Sequence, residues 1–239
     1  MGKSNKSVSY IIAAYNEDSI IEESIEYCIK CLEQDFEEYE IILIDDGSND
    51  DTGHKIDELA SKYINVNVLH NLVNLNFGVS VQRGIIASKN DFIIYNAVDL
   101  PLDPNQTKKI IDMMEDIDVL VLQRMEYLGT TKWRKITSFF NRILMLILFP
   151  SAKKGIADTN FTQVFRRGII NHVLPMARGP IFTWPEMIFR ARYKGLRVKT
   201  VDIEYNPRTV RKGAFGRPHD IIWGLYEMFR FRIHLYFRK

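Results

Sequence analysis

Three apolar runs in this chain stop abruptly at polar groups that could do chemistry. VSYIIAAYNE ends in Tyr15, Asn16 and Glu17, EIILIDD ends in Asp45 and Asp46, and FIIYNAVDLP ends in Asp99, two residues before Pro101. Short β-type runs closed in this way read as buried strands reaching the edge of a sheet. Open α/β sheets bind ligands at that edge, outside the carboxyl ends of their strands. Carboxylates gathered there can accept from a base N–H, hold ribose hydroxyls or take a divalent cation through oxygen. Taken singly, Asp45, Asp46 or Asp50 could instead cap the helix that follows; convergence on one edge favours the binding role.

Other chemistries lack their parts. No G-x-G-x-x-G follows the first strand, and no G-x-x-x-x-G-K-[ST] occurs, so the common phosphate cradles are missing. His54, His70, His172, His219 and His234 share no ligand spacing and read as surface or packing residues. Cys28 and Cys31 fall on one helix face with no second ligand pair after them, which reads as two thiols packed against a sheet in a reducing compartment.

The elements that must position these groups alternate over the first hundred residues. Strands at VSYIIAAYN, EIILIDD, NVNVLHN and DFIIYNAVD are separated by helical patterns at SIIEESIEYCIKCLEQ, with Asp18 or Ser19 as cap, at DTGHKIDELASKY and at VSVQRGIIASK. That order predicts βαβ units in a mostly parallel sheet covered on both faces. LPLDPNQTKKIIDMME adds a helix with Asp103 before Pro104 as its start, and IDVLVLQR a further strand. Beyond Arg124 the pattern changes to an aromatic, basic helix at WRKITSFFNRILMLILF, a strand at FTQVFRR, a helix at TWPEMIFRARYKG, a strand at LRVKTVDIEY and a terminal helix at DIIWGLYEMFRFRIHLYFRK. With no repeat or linker, the chain reads as one catalytic domain over 1–217, with halves 1–124 and 125–217, followed by an amphipathic basic helix at 218–239.

The 239 residues carry 46% hydrophobic and 26% charged side chains and a net charge of +2, an ordinary globular balance. The charge is unevenly spread: acidic residues crowd Glu17 to Glu58 and basic ones dominate from Arg124 onward. Such a split predicts that the second half meets an anion, whether phosphate, nucleic acid or an acidic membrane surface. MGKSNKSVS is polar, YIIAA is too short for a signal-peptide core, and no run approaches the roughly 20 apolar residues of a membrane span, so the expectation is a cytoplasmic protein touching a membrane only at its surface.

YIIAAYNED, EIILIDDGSNDDT and NLNFGVSVQRGIIASKNDFIIYNAVDL resemble, in order and spacing, the nucleotide-binding half of family 2 glycosyltransferases with the GT-A fold. WRKITSFFNRILMLILFPSAKKGIADTNFTQVFRR and PEMIFRARYKGLRVKTVDIEYNPRTVRKGAFGR are similar to the polyprenyl-phosphate branch, including dolichyl-phosphate mannose synthase and its bacterial relatives. The resemblance implies sugar transfer, with inversion, from a UDP- or GDP-linked donor to a polyprenyl phosphate. It places Ala13, Tyr15 and Glu17 beside the nucleotide, Asp46 with Asp45 at the base, and Asp99 at the sugar diphosphate and its Mg²⁺ or Mn²⁺. It also implies that Arg134 and Ser138 bind the acceptor phosphate, that Asp158 and Glu186 sit near the acceptor pocket, and that Arg208 and Lys212 belong to a loop closing over phosphates.

The chain departs from the pattern where Ala97 stands for an Asp, Pro101 for a Gln and Asn76 for a Gly. One carboxylate can still bind Mg²⁺ that takes its other ligands from water and phosphate. Alternatively Arg208, Arg211 and Lys212 neutralise the leaving diphosphate themselves. A phosphate acceptor is already anionic and needs no strong base, whereas a glycan acceptor would call on Asp158 or Glu186. Those two acids could also form structural pairs with Arg166, Arg167 or Arg190. Ala97 leaves a further rival, a silent member that binds nucleotide or lipid and recruits a partner. Nucleic acid is not expected as a partner, since no binding motif accompanies the basic residues.

A lipid acceptor requires membrane contact. Trp133, Phe139, Phe140, Ile143, Leu144, Ile147 and Leu148 recur at helical spacing beside Lys132, Arg134, Lys135 and Arg142, and the tail repeats the theme. A helix of this kind lies in the interfacial plane and attracts anionic lipid, packs on its own domain, or serves a homo-oligomer or separate membrane partner.

Overall fold

In the computed structural model, residues 2–124, 132–205 and 218–237 are described, with side chains from 136 and 219 onward in the second and third stretches. The described strands form one seven-stranded sheet in the order β3-β2-β1-β4-β6-β5-β7. These are β1 (Val8–Ala14), β2 (Tyr39–Asp45), β3 (Val66–His70), β4 (Phe92–Ala97), β5 (Val119–Arg124), β6 (Gln163–Arg166) and β7 (Val198–Ile203). All run in one direction except β6, which is antiparallel to both β4 and β5.

β1, β2 and β4 read as unbroken apolar runs because each feeds two cores. Tyr10, Ile12, Ile41, Leu43, Phe92 and Ile94 enter one cluster, while Ile11, Ile42, Ile44, Ile93 and Tyr95 enter the other. A strand buried on both faces loses the polar half of its alternation. The first cluster is closed by α1 (Ile21–Asp35), α2 (Thr52–Lys62) and α4 (Thr107–Asp112). The second is closed by α3 (Phe77–Ala87), by Met145 of α5 (Lys132–Leu148) and by Ala152 of α6 (Pro150–Lys153). It continues through α7 (Ile170–Val173), α8 (Thr183–Tyr193) and α9 (Pro218–Phe237). Gly84 lets α3 lie close on the sheet: a Cβ there would stand 2.6 Å from Ile11 Cγ2.

Several boundaries differ from expectation for local reasons. Neither Asp18 nor Ser19 caps α1, which begins at Ile21 without a side-chain cap. The amides of Glu17 and Asp18 instead donate to Thr52 Oγ1 at 2.8 Å and Asp50 Oδ2 at 3.4 Å, so the neighbouring loop claims them before the helix can start. Asp103 does cap its turn, accepting from Asn105 N at 3.0 Å, but the first turn is a 3₁₀ helix that becomes α4 at Thr107.

Candidate active site at the carboxyl edge of the sheet

Parallel register brings the predicted donor residues to one edge. Ala14 pairs with Asp45, Asp45 with His70, and Ala13 with Ala97, so the strands carrying Tyr15, Asp46 and Asp99 end level with one another. The loops that follow are locked together by side chains. Asn16, at φ 54°, donates its amide to Ser48 Oγ at 3.0 Å and accepts at Oδ1 from Asn49 N at 2.8 Å. Asp45 accepts from Ser48 N at 2.9 Å and faces His70 Nδ1 at 3.2 Å.

Asp46 is the hub of this edge. Its Oδ1 accepts from Asn71 Nδ2 at 2.7 Å, Ser80 Oγ at 2.8 Å and Leu75 N at 2.9 Å, fixing the whole 71–80 segment. All three bonds fall on Oδ1. Gly47, at φ 73°, lets that segment close in, since a Cβ would meet the Val73 carbonyl carbon at 2.5 Å. Asn76, where the resemblance expects glycine, takes φ 72° and ψ 156° at the start of α3, a strained setting for a residue with a Cβ.

The turn carrying Asp99 is rigid. Buried Asn96 donates to Leu102 O at 2.7 Å and Tyr10 Oη at 2.8 Å, and Leu100 turns back at φ 44° with its amide on Ala97 O at 3.0 Å. Asp99 is half-buried just past β4, Ala13 is half-buried, and Tyr15 is 43% exposed. Phe77, Tyr95 and Trp184 form an aromatic cluster with ring centres 5.3 to 5.9 Å apart.

On the acceptor side the two predicted acids are committed to the scaffold. Asp158 accepts from Arg124 Nε at 2.7 Å and Asn160 N at 3.0 Å, with the Arg124 guanidinium over Phe161. Glu186 accepts from Arg190 Nε at 2.7 Å, Met176 N at 2.9 Å and Ala177 N at 2.8 Å. Arg190 was among the partners considered for these acids, whereas Arg124 was not. Buried Glu227 of α9 repeats the device, accepting from Arg178 N, Gly179 N and Trp223 Nε1 at 2.6, 3.0 and 2.9 Å. Four successive amides of the segment before α8 are thus held by two buried carboxylates. Ser138 is exposed on α5. Arg208 and Lys212 lie outside the described residues, as does the side chain of Arg134.

Sequence reading missed His70, whose Nε2 faces Asp57 at 2.9 Å while Nδ1 faces Asp45. The Asp57 bond, with that of Asp45, outweighs partial burial and raises its pKa. Spacing along the chain gave no signal for this; the register Asp45↔His70 does.

Among the described residues no group of three or more His, Cys, Asp or Glu could hold a metal ion. Ala97 stands at the end of β4, leaving Asp99 as the carboxylate of that turn. A one-carboxylate donor set fits a hard cation that arrives with a diphosphate and keeps water ligands, and does not fit a cation caged by protein alone.

Residues 9–184 match the family model of glycosyl transferase family 2. The chain is 26% identical over 220 residues to a dolichyl-phosphate beta-glucosyltransferase of Trichomonas vaginalis, covering 83% of this chain and 65% of that protein. It is 27% identical over 175 residues to an undecaprenyl-phosphate 4-deoxy-4-formamido-L-arabinose transferase of Proteus mirabilis, covering 72% and 52%. The chain therefore spans between about half and two thirds of the length of these relatives. Among solved structures, glucosyl-3-phosphoglycerate synthase from Mycobacterium tuberculosis in complex with Mn²⁺, UDP and phosphoglyceric acid superposes with a TM-score of 0.70 at 18% identity, covering 95% and 78%. That likeness shows the GT-A fold.

Proposed function

The chain belongs to glycosyl transferase family 2, and on that premise we propose that it transfers a sugar, with inversion, from a nucleotide-sugar to a polyprenyl phosphate at a membrane surface. The names of the two curated relatives support the acceptor class, and the UDP complex supports the donor class. The observation that carries the reading lies in the acids. Asp99 follows β4 level with Tyr15 and Asp46 at the donor edge, while Asp158 and Glu186 on the acceptor side are engaged by Arg124, Arg190 and backbone amides. A glycan hydroxyl would need one of those two as a base; a phosphate monoester brings its own negative oxygen.

In this reading the acceptor oxygen attacks the anomeric carbon as the bond to the nucleoside diphosphate breaks. Tyr15, Glu17, Asp45 and Asp46 place the nucleotide, and the rigid turn at 97–102 places Asp99 at the diphosphate. Asp99 would hold a divalent cation, which when bound neutralises charge on the leaving group. Arg208 and Lys212 close on the phosphates, and Arg134 and Ser138 receive the acceptor. Holding both reactants in line supplies much of the acceleration.

The membrane contact rests on α5 and α9. Phe139, Phe140 and Ile147 are 53%, 64% and 70% exposed on α5, and Ile222, Tyr226 and Ile233 are 68%, 53% and 57% exposed on α9. No described helix is long and apolar enough to cross a membrane. These faces fit a peripheral helix pair lying in the headgroup region.

Incubation with UDP- and GDP-linked sugars and polyprenyl phosphate tests the reading. Release of nucleoside diphosphate that requires the lipid supports it, and no release with any common donor overturns it.

A further inference from the structure

Leu72, Val73 and Leu75 are exposed within four residues of one another, in a stretch, 71–79, that carries no charge. We propose that this loop is a membrane-inserting tip: Leu72 and Val73 enter the headgroup region of a lipid bilayer and, with α9, turn the Asp99 edge of the sheet toward it. The inference rests on the lipid acceptor of the proposed function and adds the orientation in which that acceptor is met.

Single apolar side chains scattered over a surface are ordinary, whereas three on one fixed loop are not. This loop is fixed at both ends. Asn71 Nδ2 and Leu75 N donate to Asp46 Oδ1 at 2.7 and 2.9 Å. Gly47 admits the Val73 backbone where a Cβ would stand 2.5 Å from its carbonyl carbon, and Asn76 closes the loop at φ 72°. The backbone is thus pinned around a buried carboxylate while the side chains of Leu72 and Val73 stand in solvent. Folding them back onto the domain would break these bonds, so covering them falls to a partner.

Position selects the bilayer as that partner. β3 ends at His70, level with Asp45, so the loop leaves the sheet on the edge that carries Tyr15 and Asp99. A polyprenyl tail keeps its phosphate within the headgroup layer, roughly 5–8 Å deep, and transfer requires this edge to approach that layer. The loop is also joined to α9. Gly78 N donates to Arg178 O at 2.9 Å, and Glu227 of α9 holds the amides of Arg178 and Gly179. Gly179 in turn lies so close to Trp223 that a Cβ would stand 2.8 Å from its Cδ1. Trp223, Ile222 and Tyr226 are exposed at that end of α9, and tryptophan and tyrosine favour the bilayer interface. Two apolar surfaces connected through Gly78 and Arg178 suit one flat lipid surface.

Ile64 supplies the contrast. It is as exposed as Leu72 but precedes β3, at the opposite edge of the sheet.

The test places a nitroxide on the whole chain at Leu72→Cys or at Ile64→Cys; the native Cys28 and Cys31 are buried and stay unlabelled. On adding vesicles of phosphatidylglycerol and phosphatidylcholine, the label at position 72 should lose collisions with a water-soluble nickel chelate about fivefold and gain collisions with oxygen. The label at position 64 should keep both values. Two labels that both stay in water, or both enter lipid, overturn the proposal. Shielding at position 72 without vesicles also overturns it, marking a second copy of the chain if it grows with protein concentration and a lid over the nucleotide if it follows UDP or GDP. Leu72→Ser combined with Val73→Ser should weaken vesicle partition about tenfold and raise KM for farnesyl phosphate in vesicles by a similar factor. Turnover number, and KM for detergent-dispersed acceptor, should not change. Partition and vesicle KM equal to wild type overturn the tip even if the chain transfers sugar. A label at position 72 that enters lipid in a chain without turnover upholds the tip and removes the transferase reading instead.

Discussion

The two halves of the sheet use the same device and leave different chemistry over. In the donor half, Asp45, Asp46 and Asp50 lock the loops after β1, β2 and β3 by accepting from backbone amides and side chains. In the acceptor half, Asp158, Glu186 and Glu227 do the same from buried positions. What the donor side presents at its edge is half-buried Asp99 and the exposed ring of Tyr15. On the other side it is cations at a cleft and a row of exposed apolar side chains. One half presents polar groups on loops that its carboxylates hold in place; the other presents a row of exposed apolar side chains.

The sharpest way to break this contrast is at Asp99. Asp99→Asn should lower transfer by about 10²- to 10³-fold, the usual cost of losing one preorganised group at a developing charge, without moving the unfolding midpoint. Full activity in this variant would detach the donor edge from catalysis. Next come the two locks. Asp46→Ala removes the acceptor of two buried side chains, Asn71 and Ser80, and of the Leu75 amide, and should cost about 2 kcal/mol in urea unfolding, with nucleotide binding lost. Glu227→Ala should cost a similar amount, about 2 kcal/mol, yet leave nucleotide affinity near normal because its loop belongs to the other half.

Smaller effects refine the surface. Replacing Phe140 and Ile147 by Ser should reduce partition onto anionic vesicles by about tenfold or more through lost apolar burial, with no drop in stability. The smallest effect concerns His70. Its raised pKa means the Asp45 and Asp57 contacts contribute fully below the ordinary value near 6.5 and fade as pH rises through the raised one. The ring is partly exposed, so solvent screens the gain. The wild-type melting midpoint should fall slightly more than that of His70→Gln between pH 6 and 9.

The donor edge was legible because carboxylates at the ends of buried runs are a local signal, and parallel pairing then sets them level. Function at Ala13, Tyr15, Glu17 and Asp45 stays a proposal, but their placement follows from pattern alone. Long-range partners were not legible. Arg124 meets Asp158 across 34 residues, and Glu227 reaches Arg178 across 49, so no window along the chain contains either pair. The strand β6 was legible in FTQVFRR but its reversed direction was not, and α6 and α7, four residues each, are too short for periodicity to register.

The most direct measurement is product analysis by mass spectrometry after incubation with nucleotide-sugar and two competing acceptors, farnesyl phosphate on vesicles and phosphoglyceric acid in solution. The proposed transfer to a polyprenyl phosphate predicts glycosylated farnesyl phosphate as the dominant product. Preferential glycosylation of phosphoglyceric acid, or sugar released to water with neither acceptor modified, contradicts it.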